Sequence, residues 1–167
     1  QPAPGDRPVR AAAAVASTGS TLLTGDAAAR RPLLAAARIV VGVDPATIVA
    51  GPDAESLPWV RDLAGRLGLS HMVAQKTRAG DRSVAITFPD AACVAGRPVL
   101  IVDDIVSSGG TMIACARALI EAGATGIDAM VTHALFAEEF CGEMIASGIR
   151  SIRSTHSVPH STNAIEL

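Results

Sequence analysis

The amino-acid sequence predicts an α/β protein, with a mostly parallel β-sheet flanked by helices. Short apolar runs rich in Val and Ile alternate along the chain with segments whose apolar residues recur at helical spacing. Glycine directly follows several of the helical segments, as it commonly does where helices end. Strands that alternate with helices are typical of parallel sheets, because parallel strands are joined by helical crossovers.

The most informative stretch is residues 99–123. Its first four residues, Val99–Val102, are apolar and predict a buried strand. Two carboxylates and a loop of small polar residues come next, and a helix ending at Gly123 is predicted to follow. Four apolar residues are predicted to lie on one face of that helix: Ile113, Ala116, Leu119 and Ile120.

The segment between this strand and helix has the chemistry of a sugar-phosphate site. Glycines let backbone N–H groups approach a ligand, and the N-terminus of a helix favours a phosphate. Two carboxylates would repel a bare phosphate but suit sugar hydroxyls or Mg²⁺ beside it. An ordinary strand–loop–helix turn with capping serines is the alternative. The predicted ribose 5-phosphate site consists of Asp103, Asp104, Ser107, Ser108, Gly109, Gly110 and Thr111.

A further carboxylate, that of Asp53, is predicted at the end of another strand. Residues 47–50 form an apolar run that predicts a strand ending at the turn 51–53, and a helix is predicted from Glu55 through Leu67. Asp53 would then lie at the carboxyl end of a parallel strand, where ligands bind in open α/β sheets. Alternatively, Asp53 and Ser56 only cap the helix.

A cluster of cations lies between two further predicted strands, 71–74 and 84–88. Residues 75–82 contain Lys76, Arg78 and Arg82 around a glycine, which predicts a mobile basic loop. Lysine and arginine brought in by a closing loop can neutralise the charge that develops on a transferring phosphoryl group. A solvated hairpin tip is the alternative.

The rest of the chain supplies the remaining elements. We predict a strand over 127–131, a helix over 138–146 and a last strand over 149–154. His133 could touch a ligand at its strand end, whereas His156 and His160 are expected on the surface of the tail or in contact with another subunit. Residues 1–25 are expected to form a loose arm, a helix is predicted over 26–38, and the domain is expected to cover 26–167.

Composition excludes several classes of partner. A net charge of −2, a pI near 6.1 and only 2% aromatic residues argue against a nucleic-acid-binding surface. Apolar runs are too short for a membrane span. Three widely spaced cysteines suggest reduced thiols and a cytoplasmic protein. The chain begins with Gln1, so we expect it to be processed, trimmed or a fragment.

From about residue 47 onward, the chain resembles the C-terminal half of ribose-phosphate pyrophosphokinases of a short bacterial or archaeal branch. The segment DDIVSSGGT is also shared with type I phosphoribosyltransferases, so the resemblance implies their α/β fold. The blocks that carry it, in order, are IVAGPDAESLPWV, QKTRAGDRSV, RPVLIVDDIVSSGGTM, VTHALF and SVPHSTNAIEL.

The resemblance implies a reaction and roles for residues. This family transfers diphosphate from ATP to ribose 5-phosphate with the help of Mg²⁺, giving phosphoribosyl diphosphate and AMP, and it forms dimers and hexamers. By position, Lys76 and Arg78 would be catalytic, and Asp53 would lie near the magnesium of the nucleotide. The segment 103–111 would hold the ribose and its 5-phosphate.

The chain also departs from the family. Many members have Asp at the position of Ser107, and the family's N-terminal domain has no counterpart that we recognise in residues 1–46. Three functions therefore stay open: an enzyme whose N-terminal half is missing, a catalytically silent partner subunit that binds ribose phosphate, and a phosphoribosyltransferase.

Overall fold

The computed structural model describes residues 43–79 and 83–166. The predicted arm, the helix over 26–38 and the start of the domain lie outside these residues. Among the described residues, no helix is long and apolar enough to cross a membrane. The described helices and strands are β1 (Ile48–Gly51), α1 (Leu57–Leu67), β2 (Ser70–Val73), β3 (Gln75–Ala79), β4 (Ser83–Thr87), β5 (Pro98–Val106), α2 (Gly110–Glu121), β6 (Gly126–Ala134), α3 (Glu139–Ala146), β7 (Ile149–Thr155) and β8 (Asn163–Ile165).

Six strands form one sheet in the order β2-β1-β5-β6-β7-β8, and every neighbouring pair is parallel. Strands β3 and β4 form a separate antiparallel hairpin. The predicted α/β class with a mostly parallel sheet is therefore confirmed. Since β1 and β5 are adjacent and parallel, the turn after β1 and the loop after β5 emerge at the same edge of the sheet.

Alternating residues of the strands cover the two faces of the sheet. Ile48 and Ile101 contribute to a core beneath α2 and α3, whereas Val49 and Val102 contribute to a core beneath α1. All four of these side chains are fully buried. Burial of one such side chain contributes roughly 1.5–3 kcal/mol, so the central strands supply much of the driving force for folding.

Several element bounds differ from the predictions. Strand β5 continues to Val106 because its backbone pairs with β6 up to Val106–Ala134. Near the end of α2, Ile120 leaves 43% of its area exposed, whereas Ala116 and Leu119 of the same helix are buried. Strand β8 is not predicted from the sequence. It is only three residues long and is defined mainly by backbone pairing with β7.

Candidate functional site

A cleft of about 200 Å³ opens at the carboxyl ends of β1 and β5. It brings together groups that are far apart in the sequence: the turn after β1, a residue of β3, and the segment that joins β5 to α2. The residues that line this cleft are Asp53, Glu55, Trp59, Lys76, Asp103, Asp104, Ile105, Val106, Ser107, Ser108, Gly109, Thr111 and Met112.

The loop at the start of α2 depends on Gly109. Its φ of 72° lies in the left-handed region, which favours glycine. A Cβ atom at this position would lie 2.8 Å from Cε of Met144, which is a buried residue of α3. Gly110 is the first residue of α2, is exposed, and does not line the cleft. Packing of Met144 from α3 therefore leaves no room for a side chain at position 109.

The two consecutive carboxylates at the end of β5 are held by their own backbone. Asp103 Oδ1 accepts a hydrogen bond from Asp104 N at 3.0 Å, and Asp104 Oδ1 accepts one from Ile105 N at 2.8 Å. Burial, followed by the negative charges of Asp104 and Asp53, raises the pKa of Asp103 to about 7. A cation or a hydroxyl donor in the cleft would stabilise the ionised form of Asp103.

A buried thiol lies behind these carboxylates. Cys115 on α2 is fully buried, and its Sγ lies 3.9 Å from the carbonyl oxygen of Pro52. Burial, together with the charge of Asp103, raises the pKa of this thiol to about 12. Cys115 therefore stays protonated, and its thiol lies between α2 and the turn that follows β1.

The two oxygens of Asp53 have different partners. Oδ1 accepts a hydrogen bond from Ser56 N at 3.2 Å, which caps the short 3₁₀ turn Ala54–Ser56. Oδ2 lies 3.0 Å from Nζ of Lys76. The capping interpretation therefore describes only one oxygen of Asp53. Buried Ser56 precedes α1 but makes no side-chain capping hydrogen bond, and its Oγ donates to the carbonyl oxygen of Asp53 instead.

Lys76 and Arg78 lie on a strand rather than in a loop. Both belong to β3, where Lys76 pairs with Ile86 and Arg78 pairs with Val84. Residues 80–82 and the side chain of Arg78 lie outside the described part of the structure. The predicted basic loop is therefore wrong for residues 75–79, because backbone pairing with β4 extends the hairpin despite its charged side chains.

Several cleft residues were not predicted from the sequence. Glu55 is exposed two residues after Asp53, and inspection of the whole turn would have found it. Trp59 lies on α1, and its buried indole N–H has no hydrogen-bond partner among the described residues. Ile105 directly follows the two carboxylates and leaves 50% of its area exposed. Sequence spacing alone gave no signal for Trp59 or Ile105.

None of His133, His156 and His160 lines the cleft. His133 contacts Ser157 Oγ through Nδ1 at 2.7 Å. His160 is only 5% exposed; its ring packs on Phe136, and its Nε2–H donates to the Phe136 carbonyl at 3.0 Å. The expectation of a surface position is therefore wrong for His160, because the tail folds back onto the sheet.

Glu138 and Cys141 lie near His160, with the ligand atoms of the three residues within 4.8 Å of one another. These groups already have protein partners. Nδ1 of His160 accepts from Thr162 N at 3.2 Å, and Glu138 accepts hydrogen bonds from the backbone N–H and the hydroxyl of Ser161. The cluster fastens the tail and needs no metal ion to explain it.

Comparison with known proteins agrees with this architecture. Residues 35–157 match the family described as "Phosphoribosyl transferase domain". This match covers more than half of the chain, so the chain belongs to the phosphoribosyl transferase domain family.

Within that broad family, the predicted resemblance to ribose-phosphate pyrophosphokinases is confirmed. The enzyme of that name from Methanopyrus kandleri is 36% identical over 113 residues, which are 68% of this chain and 38% of that protein. The one from Sulfolobus acidocaldarius is 30% identical over 139 residues, which are 81% of this chain and 47% of that protein. The chain thus spans less than half the length of these relatives.

Solved structures show the same fold. The phosphoribosylpyrophosphate synthetase from Mycobacterium smegmatis has a TM-score of 0.65 and 23% identity, over 78% of this chain and 41% of that one. The purine phosphoribosyltransferase from Pyrococcus horikoshii has a TM-score of 0.55 and 20% identity, over 66% of this chain and 75% of that one.

Proposed function

We propose that this chain binds ribose 5-phosphate and forms the sugar-phosphate half of a ribose-phosphate diphosphokinase site. The complete site would transfer diphosphate from ATP to ribose 5-phosphate, giving phosphoribosyl diphosphate and AMP. One observation carries the proposal: a glycine-containing loop at a helix N-terminus, two carboxylates and a lysine line a single cleft. The names of the relatives support the reaction.

Each group in the cleft has a role in this proposal. Backbone N–H groups and hydroxyls of Ser107, Ser108, Gly109, Gly110 and Thr111 would hold the 5-phosphate, helped by the partial positive charge at the start of α2. Asp103 and Asp104 would accept hydrogen bonds from the ribose hydroxyls and fix the orientation of the anomeric oxygen. Phosphoryl transfer depends mainly on such positioning and on charge neutralisation.

Magnesium suits this donor set, since carboxylate oxygens are its preferred protein ligands. Asp53 would hold it, with the ribose carboxylates nearby; when bound, it would neutralise charge on the phosphates of ATP. Lys76 would add positive charge to the same region, and Arg78 is proposed to do so from the same strand. A homo-oligomer, as a dimer or a hexamer, and a cytoplasmic location remain predictions.

Binding of ribose 5-phosphate by calorimetry tests the site. We expect the 167-residue chain to bind this sugar phosphate, and we expect the double variant Asp103→Asn, Asp104→Asn to lose binding while staying folded. Asp90→Asn, which removes an exposed carboxylate that does not line the cleft, is the matched control. If the double variant bound as well as the unaltered chain, the sugar-phosphate assignment would be wrong.

Release of AMP separates turnover from binding alone. With ribose 5-phosphate, Mg²⁺ and ATP, we expect the 167-residue chain to release AMP slowly. Lys76 favours an enzyme over a silent partner subunit, since a subunit that only binds ribose phosphate has little use for a lysine here. Binding of ribose 5-phosphate with no AMP release, and with no increase over the rate of a full-length relative when the two are mixed, would favour the silent partner.

A further inference from the structure

The ion pair between Lys76 and Asp53 occupies the one oxygen of Asp53 that faces away from its own turn. Oδ1 is held by Ser56 N at 3.2 Å, so Oδ2 is left for other partners, and Lys76 Nζ lies 3.0 Å from it. The side chains of Lys76 and Asp53 are 38% and 30% exposed, so ions from solvent can reach the pair.

The backbone places Lys76 in this position. Ala74 N donates to the carbonyl oxygen of Gly51 at 2.9 Å, which ties the start of the hairpin to the end of β1. Lys76 follows two residues later and pairs with Ile86 on β4. The lysine is therefore delivered to Asp53 by the fold, across 23 residues of sequence.

The ion pair of Lys76 with Asp53 offsets negative charge in the cleft. Asp53, Glu55, Asp103 and Asp104 line the cleft, and Lys76 is the one lysine or arginine among the described residues that line it. Four carboxylates around a cavity of about 200 Å³ repel one another, and an ammonium group at Asp53 offsets part of that repulsion.

We infer that Lys76 is an internal counter-cation of Asp53, and that a divalent cation binding at Asp53 displaces it. The inference rests on the proposed function for Asp53 as a ligand of Mg²⁺. Displacement leaves the ammonium on β3 free to contact the phosphate groups that accompany the metal. One side chain thus stabilises the empty cleft and becomes available for ligand phosphates once the metal arrives.

Competition between Lys76 and the metal predicts the direction in which the affinity for Mg²⁺ changes when Lys76 is replaced. Replacing Lys76 removes both the competitor for Asp53 and a positive charge close to the metal, so it should strengthen Mg²⁺ binding by roughly three- to tenfold. Lys76→Met should show this gain at low ionic strength. Lys76→Arg keeps both the charge and the competition, and should bind within about twofold of the unaltered chain.

The 167-residue chain supplies its own probe for this measurement. Trp59 is its only tryptophan, there is no tyrosine, and the indole lines the same cleft. Titration with MgCl₂ alone, followed by the fluorescence of Trp59 and repeated by calorimetry, gives the affinity without any turnover. Arg66→Gln is the matched control, because it breaks the exposed Arg66–Asp62 pair on α1, which does not line the cleft.

The results separate this inference from the proposed function. An affinity of Lys76→Met equal to or weaker than that of the unaltered chain would overturn the exchange, as would an equal gain in Arg66→Gln. Asp53→Asn should abolish Mg²⁺ binding; if it did not, the exchange would fall together with the role of Asp53. If the exchange were disproved but the chain still bound ribose 5-phosphate, the assignment of the sugar-phosphate site would be unaffected.

Discussion

The hydroxyl group of Ser56 occupies the space beside Gly51 in which any other residue would place its Cβ atom. Ser56 is fully buried, and its Oγ donates to the carbonyl oxygen of Asp53 at 2.5 Å. Gly51 ends β1 and accepts the hydrogen bond from Ala74. The turn that presents Asp53 therefore depends on the absence of a side chain at position 51.

Gly51→Ala should destabilise the chain by about 1–3 kcal/mol, because its methyl group would overlap Ser56 and press on Val60. Urea denaturation measures this loss. Ser56→Gly in the same chain removes the nearest two atoms and should restore part of the stability, although the contact with Val60 Cγ2 at 3.0 Å remains. A Gly51→Ala variant as stable as the unaltered chain would contradict this packing.

Asp103 should make the stability of the ligand-free chain depend on pH. Its pKa is about 7 in the folded chain and near 3.8 when unfolded, so the unfolded state loses the proton first as pH rises. The stability associated with protonated Asp103 is therefore fully present below pH 4. The free energy of unfolding falls between pH 4 and 7 and stays at its lower value above pH 7. The loss in the free energy of unfolding is about 2–4 kcal/mol.

Asp103→Asn removes this titration. The difference in unfolding free energy between variant and unaltered chain should grow in favour of the variant from pH 4 to pH 8, as measured by urea denaturation without Mg²⁺. Asp90→Asn, at an exposed position, should show little change in that difference. A pH-independent difference for Asp103→Asn would mean that Asp103 ionises as an ordinary aspartate.

The sequence predicted most of the elements that carry the cleft, because their signals are local. The apolar runs at 47–50 and 99–102 predicted β1 and β5, and Gly68 and Gly123 marked the ends of α1 and α2 through positive φ values of 68° and 91°. Glycine-rich spacing also predicted the loop beside α2. Periodicity and capping are properties of short segments, so they can be recognised in the sequence without knowledge of the fold.

Features that depend on distant segments were not predictable in this way. The contact of Lys76 with Asp53 depends on how the β3–β4 hairpin leaves the sheet. Trp59 enters the cleft only because α1 packs beside β1. His160 is polar and lies in a tail with Pro159, so its pattern suggests a surface position, and only the return of the chain to Phe136 buries it.

Gly109 and Gly110 should respond differently to substitution by alanine. Gly109→Ala should destabilise the chain by about 1–3 kcal/mol, because of the left-handed backbone and the contact with Met144. Gly110→Ala should change stability by less than about 1 kcal/mol, since its Cβ would find only Ser108 Oγ, at 3.8 Å.

Binding of ribose 5-phosphate is a second measurement that distinguishes the two glycine variants. Gly109→Ala should weaken binding strongly because it distorts the loop, whereas Gly110→Ala keeps its backbone N–H and should bind within about threefold of the unaltered chain. Calorimetry measures both. Equal losses of stability in the two variants would contradict the different environments of the two glycines.

His160 should be the side chain that fastens the tail to the sheet. Its two ring nitrogens bond to Phe136 O and Thr162 N, and its ring lies 4.4 Å from the ring of Phe136. His160→Ala leaves these groups without partners and should destabilise the chain by about 2–4 kcal/mol. His71→Ala, at an exposed position on β2, is the control and should have a small effect.

Hydrogen exchange locates the effect of His160→Ala. Two amides report on the tail: Ser154 N donates to Thr162 O at 2.9 Å, and Asn163 N donates to His160 O at 3.1 Å. Both should exchange faster in the variant. Amides of β1 and β5 should lose protection only by as much as the global free energy of unfolding falls. Binding of ribose 5-phosphate should persist under conditions where the variant is folded, because His160 does not line the cleft. Unchanged exchange at Ser154 and Asn163 would show that the tail is held by other contacts.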